Sequence, residues 1–196
     1  MNPSDLRDRI AKDLAPARPL LPPPTRALLF APIALATVVA IPAIYLFRTD
    51  MTELGILRTW GLSMAEAAGG LVIVALALRD SIPGRALSRG TIAMAVVAGL
   101  ALPVAIFLLT AEQFDVGAEA QPVLRVAYVC FRTSLTSAIP ALIAVTFLVA
   151  RAFPLRPGVT GMLYGLGCGV IADGGLRLFC EFTAPFHVIE IGRAHV

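Results

Sequence analysis

Five long runs of apolar residues constrain most strongly what this chain of 196 residues can fold into. Each run has roughly the 17 to 25 residues that an α-helix needs to cross a lipid bilayer. None shows the strict alternation of apolar and polar residues that is typical of outer-membrane β-strands. The sequence therefore predicts an all-α protein, a polytopic transmembrane helix bundle with five spanning helices. The predicted spans are residues 27–47, 59–78, 91–110, 126–150 and 159–179.

The distribution of basic residues predicts how the bundle is oriented. If the runs alternate in direction, one side of the membrane carries Arg7, Arg9, Lys12, Arg18, Arg26, Arg79, Arg85, Arg89, Arg151 and Arg156. The other side carries only Arg48, Arg58, Arg125, Arg132 and Arg177. Because basic residues concentrate in cytoplasmic loops, we expect the N-terminus in the cytoplasm, with residues 1–26 as a cytoplasmic tail and residues 27–189 as the membrane domain. No basic cluster is interleaved with aromatic residues, so we expect the lipid bilayer, and no nucleic acid, as a direct partner.

The N-terminal tail carries a short amphipathic segment. Ser4 can cap a helix that Pro16 ends, and three aliphatic residues recur at intervals of four between them. About eleven residues are too few to hold a helix alone in water, so we expect this segment to become ordered on a protein partner. An alternative is that the stripe lies on the membrane surface as an anchor. The predicted partner-binding residues are Leu6, Arg7, Ile10, Asp13 and Leu14.

Two cysteines are predicted to share one boundary of the membrane. Cys130 lies near the start of the fourth run and Cys180 follows the end of the fifth, so both should lie at the outer face. Thiols in an oxidising compartment can form a disulfide, and two thiolates, with His187 nearby, are suitable ligands for a soft metal ion. The alternative is that both are small buried hydrophobic residues. Cys168 is three helical turns deeper and is expected only to fill space.

Two acidic residues, Glu66 and Asp173, fall within the predicted spans. A carboxylate inside a membrane is costly, so each needs either a partner or a function. Arg132 and Arg177 lie at comparable depth, and we expect structural pairing ahead of ion transport. The sequence shows no constellation of serine, histidine and acid, so no catalysis and no cofactor are expected.

Small residues and prolines predict a packed bundle. Gly161, Gly165 and Gly169 recur every four residues in the fifth run, which predicts close approach of another helix along that face. Four prolines fall inside the runs, where each can bend a helix. They are Pro32, Pro42, Pro103 and Pro140.

Several segments together resemble the NrsF family of bacterial membrane anti-sigma factors, which are negative regulators of extracytoplasmic-function sigma factors. They are "LRDRIAKDLAPARPL", "SIPGR", "CFRTSLTSAIPAL" and "RPGVTGMLYGLGCGVIADGGLRLFC" followed by "PFHV". The resemblance implies a six-helix protein of the inner membrane that holds a sigma factor inactive until an external signal arrives. It also implies that two outer cysteines take part in sensing, and these match Cys130 and Cys180.

The chain ends before the sixth helix that the resemblance implies. Its last seven residues, "EIGRAHV", match the translation of a common sequencing-library adapter, so we expect residues 190–196 to be an artefact on a truncated chain. The leading hypothesis is an anti-sigma factor whose cysteines sense oxidation or a metal. A small transporter or channel that uses Glu66 and Asp173 is the main alternative, and a membrane chaperone or assembly subunit is a third.

Overall fold

The computed structural model describes residues 20–45, 47, 55–111 and 121–179, together with Asp5. No strand occurs in that part of the chain, and each of its five long helices is long and apolar enough to cross a membrane. The predicted all-α architecture with five spanning helices is therefore confirmed. One π-helical turn, Leu57–Gly61, runs directly into the second long helix. The helices are α1 (Pro23–Tyr45), α2 (Leu62–Asp80), α3 (Arg89–Ala111), α4 (Gln121–Ala150) and α5 (Pro157–Arg177).

The helix starts follow from the local sequence. α1 begins at Pro23, four residues before the predicted run, and α5 begins at Pro157. Proline suits the first turn because the N–H that it lacks would have no partner inside the helix. The hydroxyl oxygen of Ser88 accepts a hydrogen bond from the backbone N–H of Thr91 at 3.1 Å, which caps the start of α3. The four prolines predicted to lie within helices do so.

The five helices alternate in direction, and α5 lies at the centre. It packs against each of the other four helices, most extensively against α2. In its most apolar stretch 56% of the residues are buried, compared with 17% in α3, which is peripheral. We call the end of the bundle at which α1 begins the tail end, and the opposite end the far end. The ends of α2 and α4 and the start of α5 also lie at the tail end, as the side-chain contacts described below show.

Apolar side chains fill the interior and also cover much of the exterior. The core contains Phe30, Val38, Val74, Leu78, Val145, Cys168, Ile171 and Leu178, all fully buried. Large exposed apolar side chains occur on every helix, among them Leu28, Val72, Leu108, Phe147 and Met162. A water-soluble protein rarely tolerates so much exposed apolar surface, but lipid chains solvate it well. The exterior therefore fits a bilayer.

The backbones of α2 and α5 come into direct contact at a pair of glycines. A methyl group added at Gly70 would lie 2.5 Å from the carbonyl oxygen of Gly167, and one added at Gly167 would lie 2.7 Å from that of Gly70. No larger residue fits at either position unless the helices separate. The predicted face of Gly161, Gly165 and Gly169 packs against no other helix among the described residues, because added methyl groups would meet none of their atoms closer than 3.9 Å.

Candidate functional site

A buried carboxylate, Asp80, organises the tail end of the bundle. One of its oxygens accepts hydrogen bonds from Arg156 Nη2 at 2.5 Å and from the backbone N–H of Leu87 at 2.9 Å. The other accepts one from the hydroxyl of Thr160 at 3.1 Å. Its side chain is fully buried, whereas that of Arg156 is 37% exposed. Asp80 therefore joins the end of α2 to the start of α5 and to the loop before α3.

Arg26 is the second buried charge at this end, in the first turns of α1. Only 3% of its surface is exposed. Its guanidinium donates to the carbonyl oxygens of Leu78 and Leu148 and, at 3.5 Å, to the hydroxyl oxygen of Ser81. Both carbonyls belong to the last turn of a helix, where they have no N–H partner within the helix. Arg26 thus caps the C-termini of α2 and α4 at the point where the N-terminal tail enters the bundle.

A second polar cluster lies within the membrane span near the far end. Arg177 Nε on α5 donates to Glu66 Oε2 on α2 at 2.8 Å, and Arg177 Nη2 donates to the carbonyl oxygen of Pro103 on α3 at 3.2 Å. Arg177 Nη2 also lies 3.5 Å from Asp173 Oδ2, an ion pair without hydrogen-bond geometry. The side chain of Glu66 is fully buried, while those of Arg177 and Asp173 are 15% and 33% exposed.

The far-end cluster leaves several buried oxygens without hydrogen-bond partners. They are Ser63 Oγ, Glu66 Oε1 and Asp173 Oδ2. In the described part of the chain no group of three or more histidine, cysteine, aspartate or glutamate residues is placed to hold a metal ion. The hydrogen bonds of each cluster join several helices to one another.

Comparison with known proteins identifies the family. A family model described as NrsF, negative regulator of sigma F, matches residues 10–190. That match covers nearly the whole chain, including all five helices. The chain belongs to the NrsF family. NrsF proteins are anti-sigma factors, which are regulatory proteins. Membership of this family indicates that the partner is a sigma factor. No curated protein and no solved structure that was compared matches the chain.

The structure of this NrsF chain brings together three of the four predicted intramembrane polar residues. Glu66, Asp173 and Arg177 form one cluster, as expected for structural pairing. The predicted pairing of Arg132 is wrong, because its side chain is exposed on α4 and forms no ion pair within the described residues. The exposed Arg132 side chain therefore makes no contact with an acid among the described residues.

The remaining predicted site residues of this NrsF chain are not tested. Cys130 lies within α4, and Cys180 lies outside the described residues. The predicted partner-binding residues, Leu6, Arg7, Ile10, Asp13 and Leu14, also lie outside them. Disulfide formation, metal binding and partner capture therefore stay predictions. Cys168 is fully buried in the core, as expected for a space-filling residue.

Sequence reasoning missed the tail-end cluster of this NrsF chain. In the sequence Arg26 and Arg156 indicate only the topology, and Asp80 does not stand out because it lies at the boundary of a predicted span. The position of Asp80 and Ser81 does carry a signal, since they lie between an apolar run that ends at Leu78 and the segment "IPGR". A carboxylate at that point meets the start of any antiparallel neighbour, which here is α5 with Arg156 and Thr160.

Proposed function

We propose that this NrsF chain is an anti-sigma factor of the bacterial inner membrane that sequesters an extracytoplasmic-function sigma factor through its N-terminal tail. We further propose that it releases the sigma factor when Cys130 and Cys180, at the outer face, sense oxidation or a metal ion. The family match over residues 10–190 is the observation that carries the proposal. The orientation rests on the excess of basic residues on the side of the tail.

The contacts of Arg26 support a coupling between the tail and the bundle. The tail joins α1 immediately before the residue whose guanidinium bonds to Leu78 and Ser81 at the end of α2 and to Leu148 at the end of α4. A displacement of either helix end therefore acts on the first turns of α1. Suppose that the helices can pack in two ways that present the tail differently. A sensor at the far end can then change the presentation of the tail only if its signalling state favours one packing over the other in free energy.

The antiparallel order of the helices supports the sensing part of the proposal. α4 starts and α5 ends at the far end of the bundle. Cys130 is the tenth residue of α4, and Cys180 follows the last residue of α5 by three positions. A disulfide needs its two α-carbons within about 7 Å, so bond formation between these cysteines would fix the start of α4 against the end of α5.

The far-end cluster favours a regulator over a transporter. Glu66 is buried against Arg177, which also contacts a carbonyl of α3, so this acid holds three helices together. A transport path needs a carboxylate that can exchange its partner. The ion pair and the family match together make structural pairing the better account of Glu66 and Asp173.

Capture of the sigma factor is tested with the full chain in membranes. An epitope-tagged extracytoplasmic-function sigma factor from the same genome should copurify with the solubilised protein. Leu6→Asp and Ile10→Asp place a charge in the apolar stripe and should reduce copurification at least tenfold. Asp8→Ala lies off the stripe and is the matched control. Undiminished copurification with both stripe variants would remove the tail from the interface.

Sensing is tested separately, with a reporter for the genes that the sigma factor controls. Cys130→Ser and Cys180→Ser, alone and together, should abolish induction by the thiol oxidant diamide or by a soft metal ion while repression without stress persists. Cys168→Ala is the matched control and should respond as the unaltered protein does. If the double variant is still induced normally, the cysteines are not the sensor, although sigma capture could still stand.

A further inference from the structure

The far-end cluster has an unbalanced charge. Among the described residues it contains two carboxylates, Glu66 and Asp173, and one guanidinium, Arg177. If all three are ionised the cluster carries one excess negative charge within the membrane span. An uncompensated charge is strongly unfavourable there, because neither lipid chains nor the protein interior solvates it as water does. The cluster therefore needs one further positive charge.

No other described side chain supplies that charge. α1 and α3 each contain a single charged residue, Arg26 and Arg89, and both lie at the tail end. The arginines of α4 are Arg125 and Arg132, and the latter is exposed without an ion pair among the described residues. Arg58, in the π-helical turn eight positions before Glu66, is exposed and forms no ion pair among the described residues. Arg79 on α2 is thirteen positions from Glu66, close to the opposite end.

Three oxygen atoms without hydrogen-bond partners indicate where a further positive charge would bind. Glu66 Oε2 accepts the hydrogen bond from Arg177, whereas Oε1 of the same fully buried carboxyl group has no partner. Ser63 Oγ, also fully buried and without a partner, lies three residues earlier on the same face of α2. That face meets α5, because a methyl group added at Gly174 would lie 2.8 Å from the Ser63 carbonyl oxygen and 3.4 Å from Glu66 Cβ. Asp173, adjacent to Gly174, contributes the third oxygen without a hydrogen bond.

We propose that the far-end cluster binds one proton, held on Glu66 Oε1 and shared with Asp173 Oδ2 or Ser63 Oγ. The proton makes the cluster electrically neutral and converts Oε1 from an unsatisfied acceptor into a donor. In the protonated form Glu66 Oε1 donates a hydrogen bond while Oε2 still accepts one from Arg177, so both oxygens of the carboxyl group have a partner. Asp173 is the most exposed of the three charged side chains in the cluster.

A proton fits this site better than a metal ion. A hard cation such as Mg²⁺ or Ca²⁺ takes about six or more oxygen ligands. Here it would also lie beside the Arg177 guanidinium, which is 3.5 Å from Asp173 Oδ2. Two neighbouring positive charges repel each other strongly in a low-dielectric site. The described residues also include no set of three or more acids, cysteines or histidines suited to a metal.

Infrared spectroscopy of the full chain in lipid vesicles tests the proposal, because a protonated carboxyl group absorbs apart from a carboxylate. At neutral pH in sodium-free buffer the protein should show a carboxylic-acid band that shifts in D₂O. Glu66→Gln should abolish that band. Asp173→Asn should abolish it too, although Glu66 is retained, because removal of the excess negative charge leaves Glu66 ionised against Arg177. Arg132→Gln is the control and should leave the band unchanged.

Three outcomes would overturn the proposal. The band could be absent from the unaltered protein, which would mean that both acids are ionised. It could persist in the Glu66→Gln protein, which would place the proton elsewhere. It could be present without sodium or potassium and disappear when either is added, which would make the ligand an alkali ion. If Glu66→Gln fails to fold, Asp173→Asn and the salt titration of the unaltered protein still decide between these results.

Discussion

Replacement of Gly167 by alanine should separate the two central helices. The added methyl group would lie 2.7 Å from the carbonyl oxygen of Gly70 and 2.8 Å from Val74 Cγ2. Since carbon atoms reach favourable contact at about 3.5 Å, α2 and α5 must move apart by roughly 0.7 Å. Overpacking of this kind costs about 1–3 kcal/mol. Against this, alanine is intrinsically better than glycine in a helix by about 1 kcal/mol.

Gly165 on the same helix provides the matched control, because a methyl group there has no atom within 4 Å. The intrinsic gain of about 1 kcal/mol applies to both substitutions and cancels when they are compared. The Gly167→Ala protein should therefore be less stable than the Gly165→Ala protein by about 1–3 kcal/mol. Unfolding by SDS in mixed micelles, followed by circular dichroism, measures this difference. Equal stability of the two variants, or the reverse order, would refute the direct backbone contact between α2 and α5.

Other predictions concern single residues. Asp80→Ala should lower the free energy of unfolding by about 2–4 kcal/mol, because it leaves Arg156 and a buried backbone N–H without their acceptor. The adjacent exposed residue serves as its control in the same SDS titration, where Arg79→Ala should change stability by less than about 0.5 kcal/mol. Arg132→Gln should be equally mild, and a large loss would reveal a contact of Arg132 that its exposure does not suggest. Cys168, fully buried, should react with a maleimide only after SDS unfolds the protein, and fast labelling of the folded protein would contradict its burial.

The number and position of the helices could be predicted because run length alone decides whether a segment crosses a bilayer. The packing faces could not be predicted in the same way. Lipid chains are as apolar as the protein interior, so buried Val74 and exposed Val72 look alike in the sequence. The regular spacing of Gly165 and Gly169 therefore suggested a packing face, while the contact actually falls on Gly167, between them.

Some of the polar residues could be identified from the sequence and others could not, and the difference again has a physical reason. Glu66 and Asp173 could be identified from the sequence because a carboxylate in the middle of an apolar run is costly. Arg26 and Asp80 stand at the edges of runs, where charged residues are ordinary, so nothing in their position distinguishes a buried capping group from a solvated one. Their roles depend on which helix ends meet, and only the fold determines that.

The two polar clusters and the Gly70–Gly167 contact hold α2 and α5 together at both ends and in the middle. A displacement that leaves this pair intact must therefore move α1, α3 or α4, and Arg26 on α1 is hydrogen-bonded to α4 through the carbonyl oxygen of Leu148. On the proposed function, Arg26→Gln should keep repression of the sigma factor without stress but reduce its induction by diamide, because the tail remains while its link to α4 is lost. Immunoblotting should first confirm that the variant reaches the membrane in normal amount, and Arg79→Gln at the same end of the bundle should behave as the unaltered protein does. Normal induction with Arg26→Gln would show that the signal reaches the tail by a route that bypasses this contact.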